Sequence, residues 1–299
     1  MRVIVLGMDG LDANLVVKWG LKTFMQQYYG VHDVRVAVRP NDPLYTPLIW
    51  AGFLLGKPAY SFGLDHRLIA IRRAQRGYRF PTALYKIRFK LFGMRKLGIR
   101  PILMKLKIYD IKKVVEKAHE IEALPEEALK YTLPEIAKSN GYRVWTKEFP
   151  SYNDFKCAEW RAKALELVGV SNEKYLEELE ERYQYSIKLL QEAVESAKSH
   201  DLILYYTPVI DMANHRFYKP DNIKYMTRLA TYYKRMEKAV SEVIKQIPKS
   251  ALIIVSDHGF DPKKREHSSH GFWSINVKPP LIPRTILDFK PLILKLLRY

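Results

Sequence analysis

Cysteine is almost missing from this chain: Cys157 is the only one in 299 residues. No intramolecular disulfide can form and no cysteine-based structural zinc site can be built, so a reducing cytoplasm is the expected setting. Long apolar runs are missing as well. The string Val3 to Leu6 is too short for a signal-peptide core, and no stretch of the sequence reaches the roughly 18 uncharged apolar residues of a membrane span. With only 14 glycines and 17 prolines, collagen-like and low-complexity sequence are excluded, and 47% hydrophobic with 27% charged residues is the composition of a folded globular chain. A chain of this size buries a substantial core without metal or disulfide staples, so a bound metal is expected to serve chemistry. Acids are scarce in one place. From Arg67 to Lys117 there are 16 basic residues and two acids (Asp110, Glu116), which is +14 of the total +18.

What is present reads as α/β. Val3 to Leu6, Leu202 to Tyr206 and Ala251 to Val255 are continuous apolar runs, the pattern of strands buried on both faces, with a shorter candidate at Tyr142 to Trp145. Val34, Val36 and Val38 alternate with Arg35, Ala37 and Arg39, as in a more exposed strand. Long helical patterns at Glu173 to Ser199, led by Ser171 and Asn172, and at Ile223 to Ile247 separate the strands, which predicts crossovers and a mainly parallel sheet. Residues 67 to about 125 break this rhythm. Tyr85 to Leu91 alternates with period two, and Ile99 to Val115 fits a basic amphipathic helix equally well. The expectation is one catalytic domain over residues 1–299 with a basic insertion or cap at about 67–125.

The carboxyl ends of three predicted strands carry metal-capable side chains. Asp9 follows the first, Asp211 the Leu202 run, and Asp257 with His258 the Ala251 run; in an open parallel sheet such ends face one crevice. Asp211 and His215 are four residues apart, so a helical turn places them on one face. His267 and His270 lie on the loop after Asp257. Each Asp alone is most simply a cap or turn residue; three strand ends bearing Asp, two of them with a His, point to a shared site of carboxylates and imidazoles suited to zinc, manganese or iron. Thr46 precedes Pro47, the apolar string Leu48 to Leu55, and Gly56, which reads as a helix N-cap, first turn and stop. The same position is where a helix N-terminus favours a phosphate or an alkoxide.

The strings VLGMDGLD, YTPLIWAGFLLGKP, LILYYTPVIDMANHRFY, LIIVSDHGF, HSSHGFW and TILDFKPLILKLL, in this order, resemble the type I phosphodiesterase and nucleotide pyrophosphatase branch of the alkaline phosphatase superfamily. YTLPEIAKSNGYRVWTKEFPSYN is similar to the branch's region before its middle strand, and the resemblance covers roughly residues 1 to 64 and 130 to 299. It implies the alkaline-phosphatase-like three-layer fold with a mainly parallel central sheet, plus the basic insertion. It also implies a two-metal site: Asp9, Thr46, Asp257 and His258 for one ion, and Asp211, His215 and His267 for the other. His267 is preferred to His270 because the family places a His four residues before a Gly, as His267 stands to Gly271. The ions expected are divalent, zinc first, with manganese or magnesium as alternatives. Thr46 is then the nucleophile of a phosphate-ester hydrolase, a phosphodiesterase first; the alternatives are a phosphomutase, a phosphonate hydrolase, or an inactive basic module on nucleic acid or anionic membrane.

The sequence departs from the family around Thr46. Ile49 stands where nucleotide pyrophosphatases commonly have Asn, Ala51 and Gly52 replace small polar residues, and Leu55-Gly56 and Phe62-Gly63 replace Thr-Gly and His-Gly. The candidate ligands are untouched; the substrate is what these changes alter. In the insertion, Tyr78, Phe80, Tyr85, Phe89 and Phe92 interleave with basic residues, so apolar contact and charge come together. Arg72, Arg73, Arg76 and Arg79 are accordingly the expected recruiters of a small anionic phosphate-ester substrate, and the 67–117 segment also has the composition to meet an anionic membrane surface or nucleic acid.

Overall fold

The computed structural model describes residues 1–78, 108–167, 169–247 and 249–298. A six-stranded sheet runs β2 (Tyr28–Asp33), β8 (His270–Ile275), β5 (Ala251–Val255), β1 (Val3–Met8), β4 (Leu202–Thr207), β3 (Val144–Thr146). The pairs β1/β4, β1/β5 and β3/β4 are parallel, and β8 alone runs against its two neighbours. A small ribbon of β6 (Phe260–Asp261) and β7 (Glu266–His267) stands beyond β5.

Every residue of β1, β4 and β5 is buried, because helices cover the sheet on both sides. Successive side chains of a strand point to opposite faces, and the two cores follow that alternation. Val3, Val5, Leu204, Tyr206, Ile253 and Val255 pack with the Thr46–Leu55 and Phe289–Leu297 helices. Ile4, Leu6, Ile203, Tyr205, Leu252 and Ile254 pack with Asn172–Ser196, Val209–Phe217 and Ile223–Gln246. The result is a three-layer α/β architecture with a mainly parallel sheet. Ser171 and Asn222 cap the two long helices by accepting the N–H groups of Lys174 and Tyr225.

The Thr46–Leu55 helix is buried along its whole length. Its Trp50 ring lies against Gly7 of β1, where a Cβ would come within 2.9 Å of the indole. Pro47 opens its first turn, Gly56 closes it at φ +63°, and Tyr45 occupies the N-cap, so Thr46 is the first helical residue and does not itself cap the helix.

The strand expected at Val34 to Val38 is not there. Arg35–Ala37 forms a 3₁₀ turn, and the exposed strand is the preceding segment, β2. Val34, Ala37 and Val38 are the buried positions, a spacing of three and four that suits a helical turn and overrides the apparent period of two. In the basic segment, His66–Gly77 is helical, Tyr78 bridges to Tyr109, and Ile111–Glu116 and Ala118–Glu122 are short helices. The expected alternation at Tyr85 to Leu91 lies outside the described residues, as does most of the Ile99 to Val115 pattern and Arg79. No helix among the described residues is long and apolar enough to cross a membrane.

Candidate metal centre

The carboxyl ends of β1, β4 and β5 bring Asp9, Asp211 and Asp257 together around one imidazole. Nε2 of His258 lies 3.2 Å from Asp9 Oδ1, 3.3 Å from Asp257 Oδ2 and 4.0 Å from Asp211 Oδ1. Thr46 Oγ1 approaches the same nitrogen at 3.5 Å from the N-terminus of its helix. His258 Nδ1 sits 3.0 Å from the Gly259 carbonyl, which holds the ring with Nε2 toward the acids. On the open side, Asp211 Oδ1 is 3.4 Å from His215 Nε2 and 3.7 Å from His267 Nε2, and the two imidazole nitrogens are 3.0 Å apart. The His258 and His267 rings stack at 3.6 Å.

Two ligand sets emerge, Asp9–Asp211–His258 and Asp211–His215–His267, each with its donor atoms within 4.8 Å of one another. Asp211 belongs to both. The register of β4 beside β1 puts it between the two groups. Among the described residues, His270 joins neither group: its ring is exposed and its Nδ1 meets Ser269 Oγ at 3.1 Å.

Three carboxyl oxygens in this site, Asp9 Oδ1, Asp211 Oδ1 and Asp257 Oδ2, are buried without a hydrogen-bond partner among the described residues. Leaving such groups unmatched is costly, and their convergence on one point is the environment a cation relieves. The titration behaviour carries the same message. Burial opposes charge on His258, but Asp257, Asp9 and Asp211 outweigh it and raise the group to about 10. Burial pushes Asp257 and Asp211 upward; for Asp9 burial is outweighed by His258 and Tyr206, and it falls to about 2. Burial, then the charges of His258 and His215, push His267 well down, which leaves it neutral with a lone pair to donate. Carboxylate and imidazole donors in these numbers fit a divalent metal ion.

Several supporting residues are marked only faintly in the sequence. Tyr206, buried in β4, donates to Asp9 Oδ2 at 2.5 Å. Gly10, at φ +69°, lets the β1 loop touch the next segment so closely that a Cβ would lie 2.7 Å from Asp211 Cα. Its N–H bonds Asp257 Oδ1 at 3.3 Å and its carbonyl accepts from Asn214 Nδ2 at 2.6 Å. Asp12 accepts from the Phe260 N–H at 3.1 Å and so ties the β1 loop to the β5 loop. The pattern that hints at them is a buried Tyr needing a partner for its hydroxyl and a polar Asn beside two ligands on one helix.

The arginines behave differently from the acids. Arg72 Nη1 donates to the Ala123 carbonyl at 2.7 Å, Arg73 Nη2 to Tyr45 Oη at 3.1 Å, and Arg76 Nη2 to Glu120 Oε2 at 2.9 Å. The described arginines of the expected recruiting group are therefore engaged by the chain itself.

A family model described as type I phosphodiesterase/nucleotide pyrophosphatase matches residues 111–273, more than half of the chain. That span holds Asp211, His215, Asp257, His258 and His267; Asp9 and Thr46 precede it. No curated protein matches. Among solved structures, the chain is similar to the PH0037 protein of Pyrococcus horikoshii at 12% identity, TM-score 0.46, with 99% of this chain and 97% of that one covered. Murine ectonucleotide pyrophosphatase/phosphodiesterase 5 follows at 15% identity and TM-score 0.37, covering 87% and 57%. A phosphonoacetate hydrolase from Sinorhizobium meliloti 1021 matches at 11% and 0.40, covering 87% and 56%. The chain thus spans a little over half the length of these last two. On the family match, this chain is a member of the type I phosphodiesterase/nucleotide pyrophosphatase family.

Proposed function

We propose that the protein is a metal-dependent phosphodiesterase in which Thr46 is the nucleophile. The observation that carries this is the placement of Thr46 Oγ1 3.5 Å from His258 Nε2, beside three buried carboxyl oxygens that have no hydrogen-bond partner among the described residues. Asp9, Asp257, His258 and Thr46 would hold one divalent ion, and Asp211, His215 and His267 the other, with Asp211 within reach of both. Such ions, zinc first and manganese or magnesium as alternatives, would supply positive charge beside the Thr46 hydroxyl and the phosphate oxygens.

The chain's own groups do the rest. Thr46 Oγ1 gives up its proton to solvent and bonds to phosphorus as the P–O bond to the leaving group breaks, the departing oxygen taking a proton from solvent to leave as the alcohol; water then hydrolyses the phospho-threonine and restores the Thr46 hydroxyl. The N-terminus of the Thr46–Leu55 helix favours anionic oxygens at that spot. Tyr206 holds Asp9 in place through its hydroxyl. A small anionic phosphate ester is the expected substrate.

The test is Thr46→Ala, assayed on bis-p-nitrophenyl phosphate after metal stripping and reloading with zinc, manganese or magnesium. Turnover should fall by on the order of a thousandfold or more, as when a covalent nucleophile is removed. The melting temperature should hardly move, since the N-cap is Tyr45 and, among the described residues, the threonine hydroxyl has only the long His258 contact. Wild-type turnover in Thr46→Ala, or undiminished activity after stripping, refutes the reading.

A further inference from the structure

Directly before Thr46, the chain inserts Tyr45 into a buried polar cluster that the reaction as written does not use. The Tyr45 hydroxyl donates to Glu122 Oε1 and accepts from Arg73 Nη2 at 3.1 Å. Glu122 is itself 1% exposed. Its other oxygen takes Arg161 Nε at 3.0 Å and Nη2 at 2.8 Å, and Arg161 also pairs with buried Asp154. Burial, and then the charge of Glu122, push the Tyr45 phenol above its ordinary range, so it keeps its proton and remains a donor.

The same residue begins the helix that bears the nucleophile. Tyr45 is the N-cap, and its carbonyl accepts the N–H groups of Leu48 at 2.9 Å and Ile49 at 3.2 Å. Its side chain makes no capping bond to that helix; it reaches away, to Glu122 and Arg73. Thr46 is thus attached at one end to a helix buried on all sides and at the other to a residue held from outside by the His66–Gly77 and Ala118–Glu122 helices. A misplacement of about 1 Å at a reacting group costs on the order of a hundredfold in rate.

We propose that Tyr45 is a positioning residue for Thr46, and that Arg73 and Glu122 of the basic segment serve to hold its hydroxyl. This assigns to the described part of the segment a task in setting the nucleophile, and it rests on Thr46 being the attacking group. The interaction is a side-chain clasp across the cap, so its loss changes where the first helical turn sits while the helix body stays packed.

The experiment compares Tyr45→Phe with wild type on bis-p-nitrophenyl phosphate in the metal-loaded protein, together with amide exchange of residues 46–50 in the metal-free protein. The expected result is a kcat lower by about ten- to a hundredfold with KM within about twofold, and clearly faster exchange in the 46–50 segment. A kcat within about twofold of wild type, or unchanged exchange, overturns the proposal. If Tyr45→Phe does not fold, Arg73→Ala and Arg73→Lys carry the same two readouts. The lysine retains a donor, so its kcat should recover toward wild type; equal kcat in both variants overturns the proposal. Thr46→Ala is run alongside. If it is inactive while Tyr45→Phe is normal, only the positioning role falls; if it is fully active, the nucleophile reading falls and the positioning with it.

Discussion

His32 offers a test of the structure that needs no substrate. It lies in β2 opposite Gly271 of β8, is 1% exposed, packs edge-on against Phe289, and neither ring nitrogen has a hydrogen-bond partner among the described residues. Burial lowers its pKa from the usual 6.5 to about 3; the nearby Ser256 backbone works against this and His270 adds to it. The unfolded chain therefore takes up a proton at His32 below about pH 6.5, whereas the folded protein does so only near pH 3, and in that window acid favours unfolding. The stability contributed by neutral His32 is complete above pH 6.5 and is lost as pH falls toward 3. At about 1.4 kcal/mol per pH unit once below the unfolded pKa, the loss reaches about 2 kcal/mol at pH 5. His32→Leu cannot titrate and breaks no side-chain hydrogen bond. Urea unfolding of the chelator-treated protein at pH 7.5 and 5.0 measures both chains. Wild type should lose about 2 kcal/mol more than the variant between those pH values, whatever offset the leucine produces at pH 7.5. Parallel losses would show that His32 titrates normally, and that this part of the β2/β8 interface is wetter than the structure shows.

Other outcomes follow from the site. His267→Ala should lower bound metal, measured by elemental analysis, far more than His270→Ala, because a lost ligand weakens binding directly whereas His270 joins neither ligand group; equal metal content in the two would refute the ligand assignment. Gly10→Ala should cost about 1–3 kcal/mol in urea unfolding and lower metal content as well, since its Cβ would collide with Asp211 Cα from a backbone at φ +69°; a neutral effect would mean that the β1 loop and the Val209–Phe217 helix are not in contact.

Much of this arrangement was legible in the sequence, for identifiable reasons. Strands β1, β4 and β5 are buried on both faces, so they appear as unbroken apolar runs, and the acids that follow them stand out because the runs end so abruptly. β2 was hidden. Its sequence YYGVHD carries Gly and His and gives little apolar signal, while the neighbouring valines alternate without forming a strand. Thr46 stands out in the sequence through the helix it begins, whereas Tyr45 before it reads like any aromatic. The partners of Arg72, Arg73 and Arg76 lie 28 to 51 residues away, and local patterns do not reveal pairings made only by tertiary packing. Asn214 and Tyr206 went unread for the same reason.

The order of the strands also governs when the molecule can be completed. β1, β3 and β4 pair among themselves from the first 207 residues, but β2 has a single neighbour in the sheet, β8, whose residues lie some 240 positions later. During synthesis, Tyr28–Asp33 must wait unpaired until His270–Ile275 has emerged and slotted between it and β5. Long-range pairing of this kind is slow to close, and an unpaired strand bearing exposed Tyr29 and Val31 invites wrong partners while it waits. The candidate ligands follow the same timetable. Asp9 and Thr46 are made early, Asp257, His258 and His267 late, so a ribosome-bound chain would hold half of the proposed metal site open until the final strand locks into the sheet.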